Sequence, residues 1–333
     1  MRKLVLSLTV LGTVLISVLH AAPAQAQNQK TWVASNGIDN VTCGARLTPC
    51  LTFQFAHNHT NPGGEIGVVD SGDYGKVIIS KSISIVAEGA QASILAPAAQ
   101  DNGVLITAGP TDIVHLRGLT IDGGGTGAYG IAFNTIGAVH VEKCLIKNFR
   151  SGMFPQYGYG IYFGPFQTGE LYVSDTVLIN NGSSNDGGGI YVRLGSANPV
   201  RVVLNRVETI NNFRGVTAHG GQVLGGVMNI EVHDSVAAGN TNNGIFATTQ
   251  SGGGTIRMTL DRVTSANNGA NVPASGGVVS DGPTSFVRIT NLTVTGNING
   301  LSVSNGGTLT SFGNNNVIDN SVDGMPSTVA GQR

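Results

Sequence analysis

The stretch Val200–Gly220, VRVVLNRVETINNFRGVTAHG, holds every part of a unit that recurs along the chain. Val202 and Leu204 are apolar and two residues apart, the alternation of a strand with one buried face. An asparagine follows at Asn211, then a glycine with an apolar neighbour at Gly215-Val216. The unit therefore predicts a strand, a short second strand, an asparagine turn, a glycine and a third strand.

The apolar pair returns as Ile83/Ile85, Val114/Leu116, Val139/Val141, Leu171/Val173, Ile230/Val232, Met258/Leu260 and Val287/Ile289, at intervals of 25 to 32 residues. The asparagine returns as Asn148, Asn181, Asn240, Asn267, Asn297 and Asn320. The glycine pair returns as Gly130-Ile131, Gly160-Ile161, Gly189-Ile190, Gly244-Ile245, Gly277-Val278, Gly300-Leu301 and Gly324-Met325. Asparagine suits left-handed turns, and stacked copies can bond to one another as a ladder. The glycines are expected to supply positive φ. One such unit cannot bury its apolar face, but coaxial stacking can. The expected fold is an all-β, single-stranded parallel β-helix of about eight or nine turns, each roughly 4.8 Å from the next.

Composition agrees. Forty-nine glycines among 333 residues argue against a mainly helical chain. A hydrophobic content of 41% with net charge −1 excludes disorder and a basic nucleic-acid surface. Residues 1–26 read as a secretory signal peptide: Arg2 and Lys3, an apolar run from Leu4 to Leu19, then Ala24-Gln25-Ala26. No later apolar run is long enough to span a membrane, so a secreted monomer, periplasmic or extracellular, is expected. Residues 27–75 form an N-terminal cap, with a strand at Thr31–Ser35 and a short helix within Thr48–His59 that Pro62-Gly63-Gly64 ends. Residues 76–325 are the β-helix and 326–333 a tail. Cys43 and Cys50 lie close together in a turn-rich exported segment, where a disulfide is expected; Cys144, in an apolar column, is expected to be a buried thiol.

The repeat, the asparagine column, and the cap sequence TWVASNGIDNVTCGARLTPCLTFQFA with its following GGEIGVVDSGDYG resemble the pectin-lyase-like superfamily over roughly Thr31 to Met325. The resemblance implies a right-handed parallel β-helix and a carbohydrate partner. That superfamily holds lyases, hydrolases, epimerases, tailspikes and adhesins, so the fold does not choose among them. Its best-known catalytic signatures are missing. No Asp-Asp pair occurs, His219-Gly220-Gly221 is a poor echo of Gly-His-Gly, and Trp32 lies in the cap.

Alternation places three outward columns on the first sheet. One runs His115, His140, Tyr172, Val203, Glu231, Thr259, Arg288; the next runs Arg117, Glu142, Ser174, Asn205, His233, Asp261, Thr290; the preceding one holds Glu170, Arg201, Asn229 and Arg257. Glu231, His233, Asp261 and Arg288 are the candidate catalytic group. Two carboxylates at this spacing suit glycosidase chemistry, His233 suits a general base, and Arg288 suits a uronate. The competing reading is a solvated face whose opposite charges pair across strands. Arg201, Arg257, Tyr157, Tyr159 and Tyr172 are candidate glycan contacts. The tyrosines at 157 and 159 are weighed between exposed stacking on sugar and folding over the rod, while Phe163 and Phe166 are expected in the core. No cofactor is expected. Calcium is admissible but unsupported, because Asp122, Asp186 and Asp281 sit in glycine-rich loops one at a time, and DGGGTG (Asp122–Gly127) reads as a turn. The expected function is engagement of an extended polysaccharide along the first sheet, with lyase or glycosidase cleavage left open. The alternative is a non-catalytic surface or adhesion scaffold.

Overall fold

In a computed structural model, the structure describes residues 28–133, 137–152, 158–183, 186–221, 223–249, 253–269 and 275–331. The expected signal peptide, residues 1–26, and Tyr157 lie outside these. The described chain is a parallel β-solenoid of about nine turns with one short helix. The apolar pairs fall in register and are buried, Val139 on Leu171 on Val202 on Ile230 on Met258 on Val287. Each such side chain contributes roughly 1.5–3 kcal/mol by leaving water.

The third strands form one nine-stranded sheet, from Val77–Ile79 to Asn299–Ser304. Phe133 and Phe163 stack inside it with ring centroids 4.9 Å apart. The first and second strands, expected as two walls, belong to a single bent sheet. Gly169–Ile179 and Val200–Ile210 each run unbroken through the corner. A single left-handed residue makes the bend, Asp175 in one and Arg206 in the other. One residue of positive φ redirects the chain without costing the hydrogen-bond ladder a turn.

The asparagine column resolves into two. Asn148, Asn180, Asn211 and Asn267 take positive φ, with Gly239 and Gly296 at the equivalent places. One residue later, side-chain amides, buried except for the half-buried Asn320, form a continuous ladder: Asn181 Nδ2 donates to Asn212 Oδ1 (3.0 Å), Asn212 to Asn240 (3.2 Å), Asn240 to Asn268 (2.9 Å), Asn268 to Asn297 (2.9 Å) and Asn297 to Asn320 (2.8 Å). The expected single column had mixed the two roles.

The glycine column also needs correction. Of its members only Gly324 has positive φ. The others are required by close approach. A Cβ on Gly215 would lie 2.3 Å from the carbonyl oxygen of Gly244, and one on Gly244 would lie 2.5 Å from Ser265 Oγ and 2.8 Å from the oxygen of Gly277. Each glycine lets its coil settle against the next glycine's backbone beside the amide ladder.

In the cap, the helix is Phe53–His59. It starts later than expected because Cys50 is still extended, paired with Val33, and Thr52 is the residue that caps the helix, accepting from the Phe55 amide at 3.2 Å. The Asp39 carboxylate accepts from the amides of Leu51 and Thr52 and from the Thr52 hydroxyl, fixing the entry. The helix stops at Thr60, which is extended, so Pro62-Gly63-Gly64 lies within the next strand, Thr60–Val68, rather than ending the helix. Cys43 and Cys50 are bonded, and Cys144 is buried, its thiol pushed up to about 11 by that burial. No helix among the described residues is long and apolar enough to cross a membrane.

Candidate functional site

The three outward columns of the first strands occupy neighbouring register positions on successive coils. His115, His140 and Tyr172 stack face to face, with centroids 4.4 and 4.7 Å apart. Burial holds both imidazoles below the ordinary histidine value. Glu170 accepts from Arg201 (2.8 Å) and from the Tyr172 hydroxyl (2.9 Å), and the guanidinium, first of these, keeps its carboxyl below the usual range. Arg117 is paired on both sides, with Glu88 (2.9 Å) and Glu142.

Of the candidate catalytic residues, the structure brings three together. His233 Nε2 lies 3.4 Å from Glu231 Oε2, and its Nδ1 lies 3.8 Å from Asp261 Oδ2. Asp261 is engaged further by Arg262 and by Asn291 Nδ2 (2.9 Å). Arg288 pairs in register with Thr259, which pairs with Glu231, so Arg288 sits two coils from that carboxylate. Arg257 and Arg288 are exposed, and among the described residues neither carries an ion pair. A cavity of about 450 Å³ lies in the cap loops beside Asn36, Arg46 and Pro49, and one of about 200 Å³ lies beside Glu170, Asp112 and Thr168. His233 and Asp261 line neither.

For Tyr159 one of the two open readings holds, and for Phe166 the expectation changes. Tyr159 is only 4% exposed, so it is not free to stack on a sugar. It packs with Tyr191 at 4.8 Å and donates to Asp186 (3.3 Å). Phe166 is 66% exposed rather than in the core, because it follows the end of the third strand Tyr159–Phe163, where the chain has left the barrel. Phe163 is fully buried.

Sequence reasoning overlooked a charged column at the corner between first and second strands. Lys143, Asp175, Arg206, Asp234 and Arg262 all have positive φ and alternate in sign. Arg206 grips Asp175 through Nε and Nη2 (2.6 and 2.9 Å), and Arg262 grips Asp234 in the same way (2.7 and 3.1 Å). The signal was available: each lies two residues past the second apolar member of its repeat.

It also overlooked a polar cluster outside the third strands. Arg214 is held by Asp186 and lies over the rings of Phe213 (5.1 Å) and Phe246 (5.8 Å). Tyr129, Tyr162 and Tyr191 stack beside it, with successive centroids 5.0 and 5.5 Å apart. Reading the residue after each glycine-apolar pair as a column would have found Tyr162, Tyr191 and Phe246.

The chain matches no family model, no curated protein and no solved structure. The arrangement on the first wall can form ion pairs and hydrogen bonds along its length. It offers one imidazole between two carboxylates, but no carboxyl held protonated for acid catalysis among the groups with a shifted value.

Proposed function

We propose that this is an exported, non-catalytic β-solenoid whose first wall lies along an extended glycan. The observation that carries this reading is the state of that wall's acid groups. Glu142, Glu170 and Asp261 are each tied to a guanidinium, and Glu231 reaches His233 at 3.4 Å. A glycosidase needs one carboxyl held neutral as an acid beside an ionised partner. The Arg201 guanidinium favours the ionised form of Glu170 and holds its carboxyl below the usual range. The exposed guanidiniums of Arg257 and Arg288 and the ring edges of His115, His140 and Tyr172 supply donors along a repeating surface. Export rests on the apolar leader, and carbohydrate on the resemblance drawn from the repeat and cap.

The test is a panel of acidic and neutral polysaccharides, with and without calcium, assayed for binding, new reducing ends and unsaturated products. Binding without products is expected, weakened when Arg257 and Arg288 are both changed to glutamine. A second reading, a uronan lyase with His233 as base, is favoured by the same two unpaired arginines. Unsaturated product that disappears in His233→Ala would replace the scaffold reading with it.

A further inference from the structure

The two ends of the rod carry opposite unpaired charges and share an exposed apolar surface. A solenoid stays separate from its neighbours when its terminal coils present a polar outer face. At the far end the last layer is thin. Gly300 and Leu301 donate to the carbonyls of Val322 and Asp323, and Thr328–Val329 pairs with Thr310 and Ser311. This layer exposes Ile318, Val322, Val329 and Met325, the last to 82%. Its charges are of one sign. Beyond Arg288 the described chain carries Asp319 and Asp323 and no basic residue. Both carboxylates are exposed, and among the described residues neither has an ion pair. Asp323 Oδ1 accepts from the amide and side chain of Asn320, which fixes the carboxylate and leaves Oδ2 to face outward contacts.

At the near end the outermost layer is the disulfide loop. Trp32 N donates to Gly44 O and Cys50 N donates to Trp32 O, so the loop covers the free edge of the first strand, Asn28–Val33. The loop presents Ile38, Val41 and Leu47 to water, the last to 96%. The cavity of about 450 Å³ opens beside them, walled by Ile38, Leu47, Pro49 and Val69, with Arg46 on its lining. That volume is in the range that holds a ligand or an anchoring side chain. The Arg46 guanidinium rests 4.6 Å from the Trp32 ring and has no ion pair among the described residues. The other charges of this end are engaged: Lys30 with Glu65 (2.6 Å), and Asp39 with the entry to the helix. Arg46 is therefore the cation this end offers to a partner.

We propose that copies of this chain associate head to tail, the last coil of one seated on the cap of the next, with Met325 in the cavity and Asp323 on Arg46. The contact joins two different surfaces, so it does not close on itself and builds an open row. Charge decides against the symmetric alternatives. Two far ends would set Asp319 and Asp323 against their own copies, and two caps would set Arg46 against Arg46. The monomer expected from the sequence is then the dilute form. The proposal concerns the ends of the rod and is independent of what the first wall binds.

Sedimentation velocity of the full chain over about 1 to 100 µM tests it. The mean mass is expected to climb with concentration past that of a dimer. Arg46→Glu and Asp323→Arg should each weaken association at least about tenfold, because like charges then face each other. Both reversals in one chain should restore it. So should an equimolar mixture of the two single variants, in which every head meets an opposite tail, and this recovery shows that each variant is folded. Met325→Ser should weaken association about tenfold through lost apolar burial. Leu224→Ser, which removes an exposed leucine from the turn before the strand Val227–His233, should change nothing. Monomer at every concentration, growth that halts at the dimer, reversals that stay dissociated when combined, or an equal loss in Leu224→Ser would each overturn the proposal.

Discussion

Two ladders run along the solenoid, one at each end of the second strand; the members of one have positive φ, and each member of the other follows a turn residue of positive φ. At one corner the stack is Asn181, Asn212, Asn240, Asn268, Asn297 and Asn320, made of one residue type and buried up to its last member, which is half-buried. At the other it is Lys143, Asp175, Arg206, Asp234 and Arg262, at the surface and alternating in sign. Both stack one residue per coil, but composition and burial differ. A primary amide carries donor and acceptor together, so identical copies satisfy one another and no charge enters the interior. A charged column cannot repeat one residue, because like charges one strand apart repel, and it stays near water because desolvating ions is expensive. The buried ladder should therefore carry stability and the exposed one very little.

Asn240→Ala tests the first half and should have the largest effect. Asn240 accepts from the Asn212 amide and side chain (3.0 and 3.2 Å) and donates to Thr209 O and Asn268 Oδ1 (3.1 and 2.9 Å). Stranding these partners out of water should cost about 4 kcal/mol, at roughly 1–3 kcal/mol for a buried unsatisfied group, read as a lower denaturant midpoint. Gly244→Ala should come next, at about 2–3 kcal/mol, because the new methyl meets backbone and ladder atoms that cannot retreat. Gly152→Ala, where a Cβ meets nothing within 4 Å among the described residues and φ is not positive, serves as its control and should be near neutral.

A pH series separates the regions further. His57 is buried at 4% exposure, and burial holds its imidazole below the ordinary 6.5. A group whose folded value is depressed contributes stability above its unfolded value and loses it as pH falls toward the folded one. Stability should decline below about pH 6.5, and His57→Gln should flatten that limb. Asp175 and Asp234 are held below the ordinary 3.8, chiefly by hydrogen bonds from Arg206 and Arg262, so their contribution should survive to about pH 4 and vanish only in stronger acid. The buried amides should contribute no limb at all.

The smallest effect belongs to Asp234→Asn. Exposed ion pairs contribute little and are screened by salt. The midpoint should shift slightly in dilute buffer and not measurably in 1 M salt. A loss comparable to that of Asn240→Ala would break the contrast between the ladders.

Much of this was legible in the primary structure. The apolar pairs from Ile83/Ile85 to Val287/Ile289 fixed the register of the first strands, since a slip of one residue would turn every inward side chain out. The same alternation placed His233 beside Asp261. It did not reveal that Asp261 is already engaged by Arg262, because Arg262 lies at a corner, where alternation fails. Asn211 and Asn212 are adjacent and chemically identical, and only the left-handed turn at the first decides that the second enters the ladder. Tyr159 looked available because it belongs to an aromatic-rich segment; its burial depends on Tyr191 and Asp186, which come from the next coil.

What the sequence alone determined is the coil: period, inward faces and the places where the chain must turn, all of them consequences of local spacing and of steric rules that act within a few residues. The tertiary structure decided which polar groups are satisfied and which are left over, as Thr217 Oγ1 and Arg214 Nε are. Partners on this rod come from residues about thirty positions away, brought to hydrogen-bond distance only when one turn settles on the last.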